Sequence, residues 1–351
     1  MSRNMLSAIS RTPGRVEVEE IPLPRPAAGE VLLRVARCGI CGSDLHWYHG
    51  KYAVPRVCPG HEISAVVAEV GAGVTGVRSG DRVAVEGLRS CGGCARCRSG
   101  QTQRCSRTQM IGGTAPGGLA EYMLQAPRHL FPVPAAVDDE IAALTEPLAV
   151  SVHGLRLAGL AMGQRVLVLG SGTIGLTAII AAIAGGAGEV IATAKRPQQR
   201  AAALALGAAR VFAPTDDAPG ERLSEYARKH LVDVVVEAVG DSPSGDTLGQ
   251  AVACARRGGA IVVLGLFFQP VALNALLLLA RELRLIGSVG YSQGGERADF
   301  EIALDILERR GEAMRASMIT HRFPLAEVGA AFAAAADKAA GAIKVSVRPE
   351  A

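Results

Sequence analysis

The sequence predicts a two-domain α/β protein, an irregular antiparallel β domain followed by a doubly wound parallel sheet, and three observations predict it. Its 351 residues, 49% of them apolar, exceed what one hydrophobic core usually organises. Near Gln164 the texture changes from Gly- and Pro-rich stretches with short β-branched runs to an alternation of strand, Gly-rich turn and Ala-rich helix. At that change, VLVLGSGTIG sets Gly170, Gly172 and Gly175 between an apolar strand and a helix of small residues.

In chain order, EVLLRVARCGI, EISAVVAEVGAGV and DRVAVEG read as strands of the first domain, where helices are scarce. RVLVLGSGTIGLTAIIAAIAGG, EVIATAKRPQQRAAALALGA, VDVVVEAVG and GAIVVLG then predict βαβ units. From about Ser288, RADFEIALDILERRG has a helical pattern, followed by THRFPLAEVGAAFAAA and a terminal strand, IKVSVRP. This last segment either extends the sheet domain or returns to the first. AAFAAAADKAAGA reads as ordinary helix of biased composition.

Composition narrows the function. A net charge of +4, from 37 bases and 33 acids, provides no extended basic field, which argues against nucleic acid as the main partner. No apolar run reaches the length of a membrane span, since Leu276–Leu279 is soon closed by Arg281 and Glu282. The opening MSRNMLSAIS lacks a charged-then-apolar signal pattern, so a soluble, cytoplasmic protein is expected. In that compartment eight cysteines point to metal or catalysis and not to disulfides.

Three motifs carry chemistry. Cys91, Cys94, Cys97 and Cys105 are spaced to fill all four positions of one tetrahedral metal site, which makes the site structural. Zinc is favoured over an iron–sulfur cluster, because the last gap is long and Ser106 stands where the bacterial ferredoxin run has proline. No recognition helix beside it suggests a DNA-reading finger. Cys41, Asp44, His46, His61 and Glu62, separated by a loop with Pro55 and Pro59, bring a thiolate, an imidazole and a carboxylate within reach of a second metal that keeps an open position. Glu146, in TEPLAV, is a further carboxylate. In the glycine motif, the first glycine permits a tight turn, the second lets backbone approach a pyrophosphate, and the third lets helix pack on strand.

With CGICGSDLH, PGHE, the four-cysteine lobe, GGLAEY, TEPLAV, VLVLGSGTIGL and THRFPL in this order, the whole chain resembles the zinc-dependent medium-chain dehydrogenases. Within them it is similar to the branch of sorbitol, threonine, idonate and butanediol dehydrogenases. The resemblance implies a GroES-like catalytic domain over residues 1–150, a Rossmann domain over 151–287 and a return segment, 288–351, completing the first domain. It implies two zinc ions per chain. Cys41, His61 and Glu62 would hold the catalytic one, with Glu146 on the metal or its water, and Cys91, Cys94, Cys97 and Cys105 the structural one. Ser43 and His46 would relay the proton, and Asp44 would fix the ring of His61. Gly170, Gly172, Thr173, Ile174 and Gly175, with Ala194, Lys195 and Arg196 at the end of the next strand, would hold the cofactor.

Two departures from the family pattern bear on specificity. The sorbitol enzymes carry a tyrosine after the relay histidine and a late Arg-Tyr pair; here those positions are Trp47 and Gly290 with Tyr291, and Trp47 and Tyr291 are expected against the substrate. Losing that guanidinium favours a secondary alcohol or vicinal diol over a sugar alcohol. NAD-linked members place an acid about 20 residues past the glycines, which would repel a 2′-phosphate. Ala194 followed by Lys195 and Arg196 therefore points to NADP(H) over NAD(H). The competing readings are a polyol dehydrogenase of sorbitol or idonate type, an L-threonine dehydrogenase using NAD and, outside enzymes, a non-catalytic cofactor-binding scaffold. By analogy the chain would form a tetramer or dimer.

Overall fold

The computed structural model describes residues 3–215, 222–241, 246–337 and 339–349. The chain divides into two compact units, Met1–Glu146 with Ser292–Ala351, and Pro147–Tyr291. The junctions lie a few residues from those read in the sequence, because helix Thr145–Ala158 starts well ahead of the change of texture.

The first unit is built on a seven-stranded sheet with Val31–Ile40 near its centre. That strand has Glu62–Val70 beside it, while Tyr122–Gln125 and the late strand Lys344–Arg348 also pair with it, all antiparallel. Arg82–Val85 and Leu130–Pro132 extend the sheet on one side. At the other edge, Ile319–Pro324 pairs parallel with Lys344–Arg348, a departure from the antiparallel expectation. Helix Val328–Ala336 supplies the crossover that a parallel pair requires. The return of Lys344–Arg348 sets Val345 opposite Ile40 and Val347 opposite Cys38, next to the CGICGSD stretch. Val31, Leu33, Val35, Ile63, Val83 and Val347, each at most 1% exposed, form the centre of the core.

The second unit is a six-stranded parallel sheet in the order Arg210–Phe212, Glu189–Thr193, Arg165–Leu169, Val232–Glu237, Ala255–Val263, Arg284–Gly287. Its central strands are near-continuous apolar runs because helices cover both faces of such a sheet. The order reverses beside Arg165–Leu169, which places the glycine turn at the switch point where open sheets bind ligands. Among the described residues no helix is long and apolar enough to cross a membrane.

Candidate active site

Helix Gly42–Tyr48 carries several of the expected residues, and Cys41 is its N-cap. The Cys41 N–H donates to Asp44 Oδ2 at 3.0 Å, so one oxygen of Asp44 secures the first turn. The other, Oδ1, lies 3.9 Å from His61 Nδ1. Burial raises the Asp44 pKa, against the opposing charge of His61. Ser43 Oγ is 3.5 Å from the other ring nitrogen of His61, Nε2, and the Ser43 carbonyl accepts a 2.6 Å bond from the Tyr52 hydroxyl. His46, one turn on, is half-buried, with its ring 6.4 Å from that of Tyr52.

His61 and Glu62 stand at the start of strand Glu62–Val70, opposite Gly39. Only glycine fits there: a Cβ on Gly39 would fall 2.0 Å from Glu62 Oε2. Burial disfavours a charged His61, but Cys41, which also hydrogen-bonds it, and Asp44 outweigh burial and raise its pKa well above the ordinary value. Lys344 Nζ donates to both Glu62 oxygens at 2.6 Å and to the Ile40 carbonyl at 3.1 Å. Lys344 is 2% exposed; the charge of Glu62 raises its pKa despite burial. Glu146, in the first turn of helix Thr145–Ala158, is pushed up to about 7 by burial.

Two donors suited to zinc, the Cys41 thiol and the His61 imidazole, converge here, but among the described residues neither Glu62 nor Glu146 closes a group of three around them. A buried carboxylate stands behind the second ring nitrogen, where it would orient a ligating histidine. Glu62 is turned toward Lys344, and sequence reasoning missed that lysine, whose partner is 282 residues away. Trp47 and Tyr291, expected against the substrate, are packed away. Trp47 is 2% exposed, in the core of the first unit with its ring 5.2 Å from Phe332, and Tyr291 is 1% exposed. A side chain so enclosed has no face left for a substrate.

Cys91, Cys94, Cys97 and Cys105 bring their sulfurs within 4.8 Å of one another, and no other such group occurs among the described residues. Cys97 Sγ is 3.8 Å from Cys91 and 3.5 Å from Cys94. Four sulfurs at ~2.3 Å around zinc stand roughly 3.8 Å apart, so the lobe fits that ion. Backbone N–H groups of Gly93 and Cys94 lower the Cys91 pKa, favouring the thiolate that binds metal. The lobe is tied down on both sides. Ser90 O accepts from Arg128 Nη2 at 2.8 Å and faces His129 Nε2, while Gly100 O accepts from the Gln293 N–H and the Ser292 hydroxyl, each at 2.9 Å. Buried His129 and Glu86 meet at 2.7 Å, and Gln293 Nε2 donates to the same carboxylate at 2.8 Å.

In the second unit, Gly170 has φ 92 and Gly172 is the N-cap of helix Thr173–Ala184, which begins with Thr173 and Ile174. A Cβ on Gly175 would strike Gly170 O at 1.8 Å, whereas one on Gly172 would meet nothing within 4 Å. The turn is thus tight inside and open outside, a cradle that fits a pyrophosphate at a helix N-terminus. Thr193 Oγ1 accepts from the Gly170 N–H at 2.9 Å, and the Ser171 hydroxyl donates to Thr193 O at 2.8 Å. These bonds hold the turn against the strand that ends at Thr193, just before Ala194. Lys195 is exposed there, and half-buried Arg196 is the N-cap of helix Pro197–Ala205.

Residues 27–135 match the alcohol dehydrogenase GroES-like domain and residues 173–309 the zinc-binding dehydrogenase domain. The chain is similar to a sorbitol dehydrogenase of Halalkalibacterium halodurans, with 34% identity over 96% of each chain. Among solved structures it is similar to a zinc-binding dehydrogenase of Sinorhizobium meliloti 1021 bound to NADP (TM-score 0.86, 32% identity, 99% of this chain and 100% of that one). It is also similar to an alcohol dehydrogenase of Escherichia coli CFT073 complexed with NADH (TM-score 0.88, 28% identity, the same coverage). The chain belongs to the zinc-dependent alcohol dehydrogenases of the medium-chain family. It is an oxidoreductase with a GroES-like domain and a Rossmann domain.

Proposed function

We propose that the chain transfers hydride between a secondary alcohol or vicinal diol, or the matching ketone, and NADP(H) in preference to NAD(H). The observation that carries this reading is the convergence of Cys41, Asp44 and His61, with Ser43 Oγ 3.5 Å from His61 Nε2. Cys41, His61 and Glu146 would hold a zinc ion that would supply Lewis acidity toward the alcohol oxygen, and a bound nicotinamide would supply the hydride acceptor. Ser43 takes the hydroxyl proton, and half-buried His46 hands it to solvent. Asp44 keeps the His61 ring in place. Glu62, held by Lys344, stays outside the donor set in this reading, although the family resemblance counts it as a ligand. Cys91, Cys94, Cys97 and Cys105, whose sulfurs lie within 4.8 Å of one another, would hold a second, structural zinc.

The cofactor preference is supported by Ala194, which leaves no acid to repel a 2′-phosphate, and by Arg196 at the start of the following helix. Arg196→Ala should lower kcat/KM for NADP about tenfold or more and leave that for NAD nearly unchanged. A wild-type preference for NAD of that size would sink the cofactor assignment. Diols, polyols, β-hydroxy amino acids and simple secondary alcohols assayed with both cofactors test the reaction, and failure to oxidise any of them would remove the reading. A homo-oligomer, tetramer or dimer, is supported by the open sheet edge at Arg284–Gly287 and by the adjoining helix Ala275–Arg281, where Leu276 and Leu279 are 70% and 76% exposed.

A further inference from the structure

Glu237 ends strand Val232–Glu237 with no exposure to solvent, and the two oxygens of its carboxylate have unequal surroundings. Oε1 accepts three hydrogen bonds, from the N–H groups of Val239 and Gly240 at 2.9 and 3.0 Å and from the Thr247 hydroxyl at 2.8 Å. Oε2, also buried, has no hydrogen-bond partner among the described residues. It lies against Gly265, in the turn after Ala255–Val263, where a Cβ would fall 2.3 Å from it. A carboxylate oxygen enclosed and left bare is costly unless a positive charge meets it, and no base among the described residues does so.

The place of this carboxylate in the sheet relates it to the cofactor. The strand order reverses beside Arg165–Leu169, and in such sheets a dinucleotide lies across the strand ends with its pyrophosphate on the glycine turn. Its adenosine half belongs at the end of Glu189–Thr193, so its nicotinamide half belongs on the other side, over the ends of Val232–Glu237 and Ala255–Val263. Glu237 joins those two ends, since its carbonyl accepts from the N–H groups of Leu264 and Gly265 at 2.8 and 3.1 Å. A Cβ on Gly170 would meet the Val239 side chain at 2.5 Å, so the turn held by Glu237 adjoins the glycine cradle. A nicotinamide ring is a cation when oxidised and neutral when reduced, and a bare buried carboxylate distinguishes the two.

We propose that Glu237 is the counter-charge of the oxidised nicotinamide ring and biases the site toward the oxidised over the reduced cofactor. The inference rests on the proposed nicotinamide-dependent hydride transfer and adds to it a residue that tells the two oxidation states of the cofactor apart.

Calorimetry without alcohol or ketone, at fixed ionic strength, gives Kd for NADP+ and NADPH and, beside them, for NAD+ and NADH. Glu237→Gln keeps an acceptor for the three donors and removes the charge, so the Kd ratio of oxidised to reduced cofactor should rise about tenfold. Glu237→Asp keeps the charge on a shorter stem, and its ratio should stay near that of wild type even where both constants rise. A role confined to holding the turns would weaken both forms by one factor and would harm the shorter aspartate more than the glutamine. An unchanged ratio in Glu237→Gln, or one that rises as much in Glu237→Asp, would overturn the inference and leave the dehydrogenase reading intact. Where the glutamine variant does not fold, wild type decides with ring fragments. The cation 1-methylnicotinamide should then bind more tightly than uncharged nicotinamide, and equal or weaker binding removes the inference. Failure of wild type to bind any of the four cofactor forms would remove the inference together with the reading it rests on.

Discussion

Lys344 and Glu62 bring opposite charges together inside the first unit, at 2% and 1% exposure. Neither charge can be left alone there, since removing one partner of a buried pair typically costs about 3–5 kcal/mol. Lys344→Met should therefore destabilise the protein by about that amount in guanidinium denaturation. The double variant Lys344→Met with Glu62→Gln should recover much of the loss, because no unpaired charge is left buried. A double variant as unstable as the sum of the singles would show that the pair does not act as a pair. In the sequence, Lys344 was one base in a terminal strand, and nothing local marked it as buried. Trp47 misled for the same reason, since its position beside His46 suggested a substrate contact while its ring joins Phe332 in the core.

Among the elements, strand Glu189–Thr193 begins with a carboxylate that Arg165 and the Tyr226 hydroxyl hold. Burial raises the Glu189 pKa, but the bonds from Arg165 and Tyr226 outweigh burial and leave it below the usual glutamate range. A lowered folded-state pKa contributes stability above the unfolded value, about 4.3, which is lost as pH falls through the folded value. Glu189→Gln should thus cost about 1 kcal/mol or less at pH 7, discounted because the pair is about a quarter exposed, and should cost nothing below the lowered pKa. Thermal denaturation of both proteins from pH 7 to pH 3 reads this, and a difference constant with pH would contradict it. At this scale much was legible. The glycine turn, its flanking strand and helix and the four-cysteine lobe are local, so spacing alone revealed them. The parallel pairing of Ile319–Pro324 with Lys344–Arg348 was not, because it depends on where the helix between them docks.

For the whole molecule, the strand Arg284–Gly287 leaves one side of the second unit's sheet unpaired, next to exposed Leu276 and Leu279. In the proposed homo-oligomer, replacing both leucines by glutamate should shift the sedimentation of the protein toward the monomer without lowering its helix content. If those variants sediment like wild type, that edge is not the contact between subunits.

The sequence by itself determined the chemistry available to this protein: a thiol, imidazoles and carboxylates near the start, four sulfurs in a lobe, and a glycine turn between strand and helix. Each is a short-range pattern, and backbone geometry alone turns it into a site. Only the tertiary structure decided which distant groups complete those patterns. Lys344 reaches Glu62, Gln293 reaches Glu86 behind the lobe, and Trp47 goes into the core. Burial and charge pairing depend on segments that meet only after the chain returns, so no local reading could assign them.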